Sequence, residues 1–315
     1  MNFITRYRNS IQITLFCIGL AILGLFVYNS GIIENYEIIS SVNIPTFILA
    51  LCCTFGVIFL RVYRWKYLSE WYKPDVAWKD ATLATISSLF YANITPAKFG
   101  DLYKAYFMKR VYKMNLTDGV SMIFYERFFE LVILFLAASA IVFIQLSGVT
   151  VIVLEVIAVI LILLLIFYYK IDSLIQFIQK VSVKIPFFKN ISLDIQVRKM
   201  SFPRIVGVFF ITLISLSLEF LQLWLVACAF GYVLNPIIIT ILFSLSIIIG
   251  LVSQIPLSMG VMEGSLSYFL MYLGVTSVDS MAIVLTDRII SMYLVIIIGF
   301  IVSKLSSDRI IEVHL

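Results

Sequence analysis

The sequence predicts an all-α, polytopic integral membrane protein, and three observations carry that prediction. Of its 315 residues, 62% are hydrophobic and 13% charged, and the mean hydropathy is +1.06. A soluble domain this apolar could not cover its surface with polar groups. Apolar runs near twenty residues recur, about the length a helix needs to cross a hydrocarbon core about 30 Å thick. Lys and Arg gather beside some of these runs and are missing between others, the signature of membrane topology.

The first run, Ile11 to Tyr28, follows Arg6 and Arg8 in the manner of a signal peptide. No small-residue cleavage site follows it, so it reads as an uncleaved helix. Pro45 opens a second helix to about Leu60, leading into Arg61, Arg64, Trp65, Lys66, Trp71, Lys73, Trp78 and Lys79. That mixture reads as a basic, aromatic interface. Ala81 to Asn93 is too short to cross comfortably and breaks at Pro96, and Leu102 to Val111 returns to Lys109, Arg110 and Lys113. This is a candidate re-entrant hairpin. Gly119 to Leu146 and Val149 to Tyr169 are spans joined by the Ser147-Gly148 turn. Lys170 to Arg204 alternates apolar and basic residues around Pro186, and its first half fits an interfacial amphipathic helix. Ile205 to Phe230 is another span. Ile237 to Ser253, Gln254 to Met262 and Glu263 to Leu273 form a second candidate hairpin, and Ala282 to Val302 is the last helix.

With both hairpins re-entrant, about six full spans remain and both termini are cytoplasmic. Every Lys and Arg except Arg127 and Arg288 then falls on the inner side, and no outer loop holds one. The first hairpin enters from the cytoplasm and the second from outside, an inverted-topology repeat within one transmembrane domain covering 1–315. The repeat halves are approximately 80–146 and 237–303. Such repeats let one site face either side in turn. The location expected is the plasma membrane.

The duplication is visible in the residues. Asn93-Ile-Thr-Pro96-Ala-Lys98-Phe-Gly100-Asp101 precedes a helix opening with Asp118 and reaching Glu126-Arg127. Ser253-Gln-Ile-Pro256-Leu-Ser-Met-Gly260-Val-Met-Glu263 precedes Asp279 and then Asp287-Arg288. Arg127 and Arg288 each fall roughly 12 Å into their helices from opposite surfaces. An Arg at such depth costs at least about 2.5–3.5 kcal/mol on insertion scales, so each needs a partner or a wet cavity. Glu126, Glu130 and Asp287 are near enough in sequence to supply structural ion pairs. Alternatively the two guanidinium groups receive an anionic head group, since their planar forks suit phosphate. The broken helices leave backbone N–H groups free after Gly100 and Gly260, where a helix N-terminus would favour phosphate. A plain Pro/Gly turn without ligand is the simpler alternative for either break. Lys104 and Lys109 read as snorkelling to the interface. Glu155 and Glu219 are lone carboxylates in spans, either proton-coupling groups or partners to the arginines.

Other chemistry is poorly supplied. Cys17, Cys52, Cys53 and Cys228 lie in apolar runs without metal-ligand spacing, and the single histidine is His314. Neither a metal nor a cofactor is expected, and His-based catalysis is nearly excluded. The net charge of +5 follows topology rather than nucleic-acid binding.

The motifs resemble the flippase-like transmembrane domain family, named for the membrane part of lysylphosphatidylglycerol synthase, the multiple peptide resistance factor. Arg61, Arg64 and Trp65 match its Arg-x-x-Arg-Trp element. Asn93, Pro96, Lys98, Gly100 and Asp101 match its Asn-x-x-Pro-x-basic-x-Gly-acidic element, with Lys and Asp replacing Arg and Glu. Glu126-Arg127 matches the third element, and Pro256, Gly260 and Glu263 match the fourth, with Leu257 and Ser258 where a glycine pair is expected. The resemblance implies movement of a charged or glycosylated lipid between leaflets. The substrate expected is a membrane phospholipid or polyprenyl-phosphate-linked lipid, bound by Arg127, Arg288 and the matched hairpin residues. Rival readings are a membrane-embedded transferase using Asp101, Glu126 or Glu263, or a non-transporting partner of a lipid-modifying enzyme. A lysyltransferase role would lack the soluble aminoacyl-transferase domain, because the chain stops soon after its last helix.

Overall fold

The computed structural model describes residues 3–146 and 200–312. The expected span Val149–Tyr169 with Glu155, the Ser147-Gly148 turn, most of the basic segment from Lys170, and His314 lie outside the described residues. Within them every regular element is helical. In chain order these are α1 (Phe3–Ser30), α2 (Ile44–Tyr72), α3 (Trp78–Ile94), α4 (Leu102–Tyr112), α5 (Leu116–Leu146), α6 (Phe202–Ala229), α7 (Pro236–Ser253) and α8 (Val261–Tyr272). The last, α9 (Ser277–Glu312), is 36 residues long and carries a π-helical turn at Ile289–Tyr293. By length and composition α2, α6, α7 and α9 are each able to cross a membrane.

Helix starts follow local chemistry. Asn43 accepts from the Thr46 N–H ahead of Pro45, Asn235 accepts from Ile237 and Ile238 ahead of the apolar run, and Thr276 accepts from Asp279. Each satisfies a first-turn N–H that would otherwise lack a partner.

The second helix does not stop near Leu60. It continues to Tyr72, which places Arg64 and Trp65 in the core, 3% and 0% exposed, rather than at an interface. Carboxylates on α5 neutralise Arg64, and this makes its burial tolerable. Lys104 does not snorkel either. It is buried, pairs with Glu126 and lies over the Trp65 ring at 4.8 Å, while Lys109 is exposed.

Two helix–break–helix hairpins organise the bundle. α3 and α4 run antiparallel, with the Tyr91 and Tyr103 rings 4.7 Å apart near the break and the Tyr112 hydroxyl donating to Asp80 at 2.6 Å near the base. α7 and α8 form the second, with the break at Ser258 and Met262 folded onto Gly250. α9 shows how the hairpins sit. Near its C-terminus Arg309 donates to Asp80, 3.1 Å, at the base of the first hairpin. Near its N-terminus Asp279 accepts from Tyr232, just before α7, at the base of the second, and this bond pushes the Tyr232 phenol pKa up. α9 is about 54 Å long, so the two bases lie at opposite ends of the bundle while the two breaks touch.

In lipid, packing rather than water exclusion holds helices together, and small residues set the closest approaches. A Cβ at Gly119 would lie 2.6 Å from the Ala105 Cβ, and one at Gly299 would lie 2.9 Å from the Ile86 carbonyl oxygen.

Candidate functional site

The two breaks share a construction. In the first, Thr95 Oγ1 donates to the Tyr91 carbonyl at 2.8 Å and accepts from the Gly100 N–H at 2.7 Å. A Cβ on Gly100 would fall 2.0 Å from the Tyr91 carbonyl carbon, so only glycine fits there. In the second, Gly260 has φ +79 and presses on α1, where a Cβ would lie 2.6 Å from the Gly19 oxygen. Its N–H donates to Glu263 Oε2 at 2.7 Å. Two positions after each proline the backbone is left-handed, with φ 54 at Lys98 and φ 52 at Ser258. Such φ values are uncommon outside glycine and concentrate at functional positions.

Each arginine pairs with the acidic residue after its break. Arg127 pairs with Asp101, 26 positions earlier, and Arg288 Nε donates to Glu263, 25 positions earlier, at 2.8 Å. The one-residue slip between the sequence copies is the net of a Gly-to-acid spacing two residues longer in the second copy, Gly260-Val-Met-Glu263 against Gly100-Asp101, and an acid-to-Arg spacing one residue shorter.

Around that shared pair the surroundings differ. Arg127 also pairs with Glu130. Arg64 Nε donates to Glu126 at 3.1 Å and Nη2 to Glu130 at 2.7 Å, and Lys104 pairs with Glu126. Three cations and three carboxylates from α2, α4, α5 and the first break therefore form one charge-balanced network. Arg288, by contrast, reaches only Glu263 and the Leu257 carbonyl among the described residues, the latter at 2.8 Å.

Between the breaks lies a cavity of about 160 Å³. Its polar wall comprises Thr54 and Arg61 of α2, Asn93, Thr95 and Lys98 of the first hairpin, Glu219 and Gln222 of α6, Gln254 and Ser258 of the second break, and Arg288 and Ser291 of α9. Arg61 pairs with Glu219 at 2.5 Å. Lys98 has no ion-pair or hydrogen-bond partner among the described residues, and its side chain stays partly exposed to this space. Among those residues the Arg288 Nη1 is also without a hydrogen-bond partner. An unpaired ammonium and an open guanidinium edge on the polar wall of this cavity have the chemistry that suits an anion.

Of the residues expected to bind, Asn93, Lys98 and Arg288 line the cavity. Pro96 and Pro256 open the 3-10 turns that form its ends. Gly100, Gly260 and Glu263 shape the breaks behind it. Arg127, Glu126 and Asp101 belong to the ion network, and Asp287 is buried on α9 off the cavity wall. Sequence reasoning did not place Arg61, Thr54 and Gln222 here. Arg61 reads as interfacial from sequence because the apolar run ends near Leu60 although the helix continues to Tyr72, while a lone amide such as Gln222 in an apolar span is a weak but usable signal. Glu219 pairs with Arg61 rather than with Arg127 or Arg288, the arginines expected to engage it. No cluster of metal-ligating residues occurs among the described residues.

The family described as "Lysylphosphatidylglycerol synthase TM region" matches residues 11–299. The chain belongs to this family. A UPF0104 membrane protein of Methanothermobacter thermautotrophicus is 28% identical over 285 residues, 84% of each chain. The match to the lysylphosphatidylglycerol synthase TM region spans both hairpins. At the second break the glycine pair expected from the motif is replaced by Leu257 and Ser258, and both stand at positive φ, 64 and 52. The backbone keeps a shape that suits glycine although neither residue is glycine.

Proposed function

We propose that this protein is a lipid translocase that moves a phosphate-bearing lipid, aminoacylated or glycosylated in some cases, between the leaflets of the plasma membrane. The observation that carries the proposal is the unpartnered Lys98 ammonium facing Arg61 and the open edge of Arg288 in the cavity between the breaks. A phosphate there exchanges water for charge-assisted hydrogen bonds from Lys98, Arg61 and Arg288. The acyl or polyprenyl chains remain in lipid, because the cavity is large enough only for a head group. The hairpin bases at opposite ends of the bundle favour an inverted repeat whose re-entrant tips expose the site to each side alternately. In this reading both termini are cytoplasmic.

Purified protein in vesicles of phosphatidylethanolamine and phosphatidylglycerol, with a fluorescent short-chain phosphatidylglycerol, tests the reading by quencher accessibility. Wild type accelerates leaflet exchange, and Lys98→Gln lowers the protein-dependent rate about tenfold, equivalent to the loss of about 1.4 kcal/mol of binding. Equal rates with and without protein, for this lipid and for a polyprenyl phosphate, would refute it.

A further inference from the structure

We infer that Asp287 is a proton-carrying group that couples movement of the anionic head group to a proton, an inference that rests on the translocase reading. Asp287 is 1% exposed and sits on the spanning helix α9. The other buried carboxylates described within the bundle, and the half-buried Glu130 and Glu219, each have a cation: Asp80 has Arg309, Asp101 and Glu130 have Arg127, Glu126 has Arg64 and Lys104, Glu219 has Arg61, and Glu263 has Arg288. Asp287 has none within 4 Å among the described residues, although Arg288 is next to it in sequence, because that side chain turns to Glu263.

Its partners are neutral. Gln222 Nε2 donates to Asp287 Oδ1 at 2.9 Å, and Ser291 Oγ lies 3.5 Å from Oδ2. A carboxylate out of water with only neutral donors favours its protonated form. The partners of Asp287 connect it to the cavity. Gln222 and Ser291 both line it, and Thr54, also on its wall, donates to Gln222 Oε1 at 2.8 Å. A second, independent feature marks the same place. The π-helical turn Ile289–Tyr293 follows at once and includes Ser291, and π turns inside α-helices are frequent at functional sites.

The charged groups facing Asp287 set the coupling. These are Arg288, next to it on its own helix, and Glu219 on α6. With the proton on Asp287, Arg288 is offset by Glu263 alone and the cavity favours an anion. When the proton leaves to the other side, the new negative charge weakens that attraction and releases the head group. One proton thus binds and departs with one anionic head group.

Two measurements test this. In phosphatidylethanolamine–phosphatidylglycerol vesicles, the fluorescent phosphatidylglycerol should move several-fold faster in wild type when a pH gradient is imposed. In Asp287→Asn, which keeps the acceptor for Gln222, the ratio of rates with and without the gradient should fall to about one. A retained gradient response in Asp287→Asn overturns the coupling while leaving translocation in place. Independently of any transport, infrared difference spectra of the purified protein between acidic and alkaline pH should show a protonated-carboxyl band that is lost in Asp287→Asn. The same band in Asp287→Asn as in wild type, or none in wild type, overturns the inference whether or not the fluorescent lipid moves.

Discussion

The two hairpins are built to one plan and put to different uses. Both break after a proline, both hold a left-handed residue two positions on, and both set an acidic residue that follows a tightly packed glycine against an arginine of the following helix. In the first, the arginine is absorbed into a six-member network with Arg64, Lys104, Asp101, Glu126 and Glu130, and its open cation is Lys98. In the second, the equivalent of Lys98 is Ser258, and the arginine itself borders the cavity. Charge that is tied into a balanced network shapes a membrane protein, whereas charge left facing a cavity is available to a ligand.

The sharpest way to break this comparison is to remove a carboxylate from each copy. Glu126→Ala takes the close carboxylate from buried Lys104 and leaves Arg64 with Glu130 alone, and should cost about 3–5 kcal/mol, read as a large drop in the thermal midpoint in detergent. Glu263→Ala should cost less, because Arg288 keeps the Leu257 carbonyl and the cavity. Equal losses would mean that the second arginine is as structural as the first. Gly100→Ala comes next, since its Cβ meets the Tyr91 backbone, and overpacking of this kind costs about 1–3 kcal/mol or more. Lys98→Gln follows, with a stability change within about 0.5 kcal/mol and a loss of bound phosphatidylglycerol in native mass spectrometry. Substantial unfolding in Lys98→Gln would show that this lysine is structural. Smallest of all, Leu257→Gly should raise stability by less than about 1 kcal/mol, because relief of the left-handed backbone is partly offset by glycine entropy.

Much of the architecture was legible before any coordinates. Apolar length located α1, α5, α6, α7 and α9, and the Pro96–Gly100 and Pro256–Gly260 spacings located both breaks. The end of α2 was not, because Arg64 looks interfacial until Glu126 and Glu130, far along the chain, are seen to neutralise it. Lys104 looks interfacial for the same reason, because its partner Glu126 lies far along the chain. Periodicity reports which residues prefer lipid, and it does not report which charges meet. The pairing of Arg127 with Asp101 and of Arg288 with Glu263 lies beyond such reasoning in one further respect. It requires knowing that each hairpin folds back onto the helix after it.

The two-faced arrangement is tested most directly by labelling the two hairpin bases. In a variant lacking Cys17, Cys52, Cys53 and Cys228, a single cysteine is placed either by Asn115→Cys, in the exposed turn after α4, or by Val233→Cys, 83% exposed ahead of α7. A membrane-impermeant maleimide added to sealed, oriented vesicles should label the two variants from opposite sides, Asn115→Cys from the cytoplasmic face. Labelling of both from the same face would contradict the inverted hairpins, and with them the alternating site.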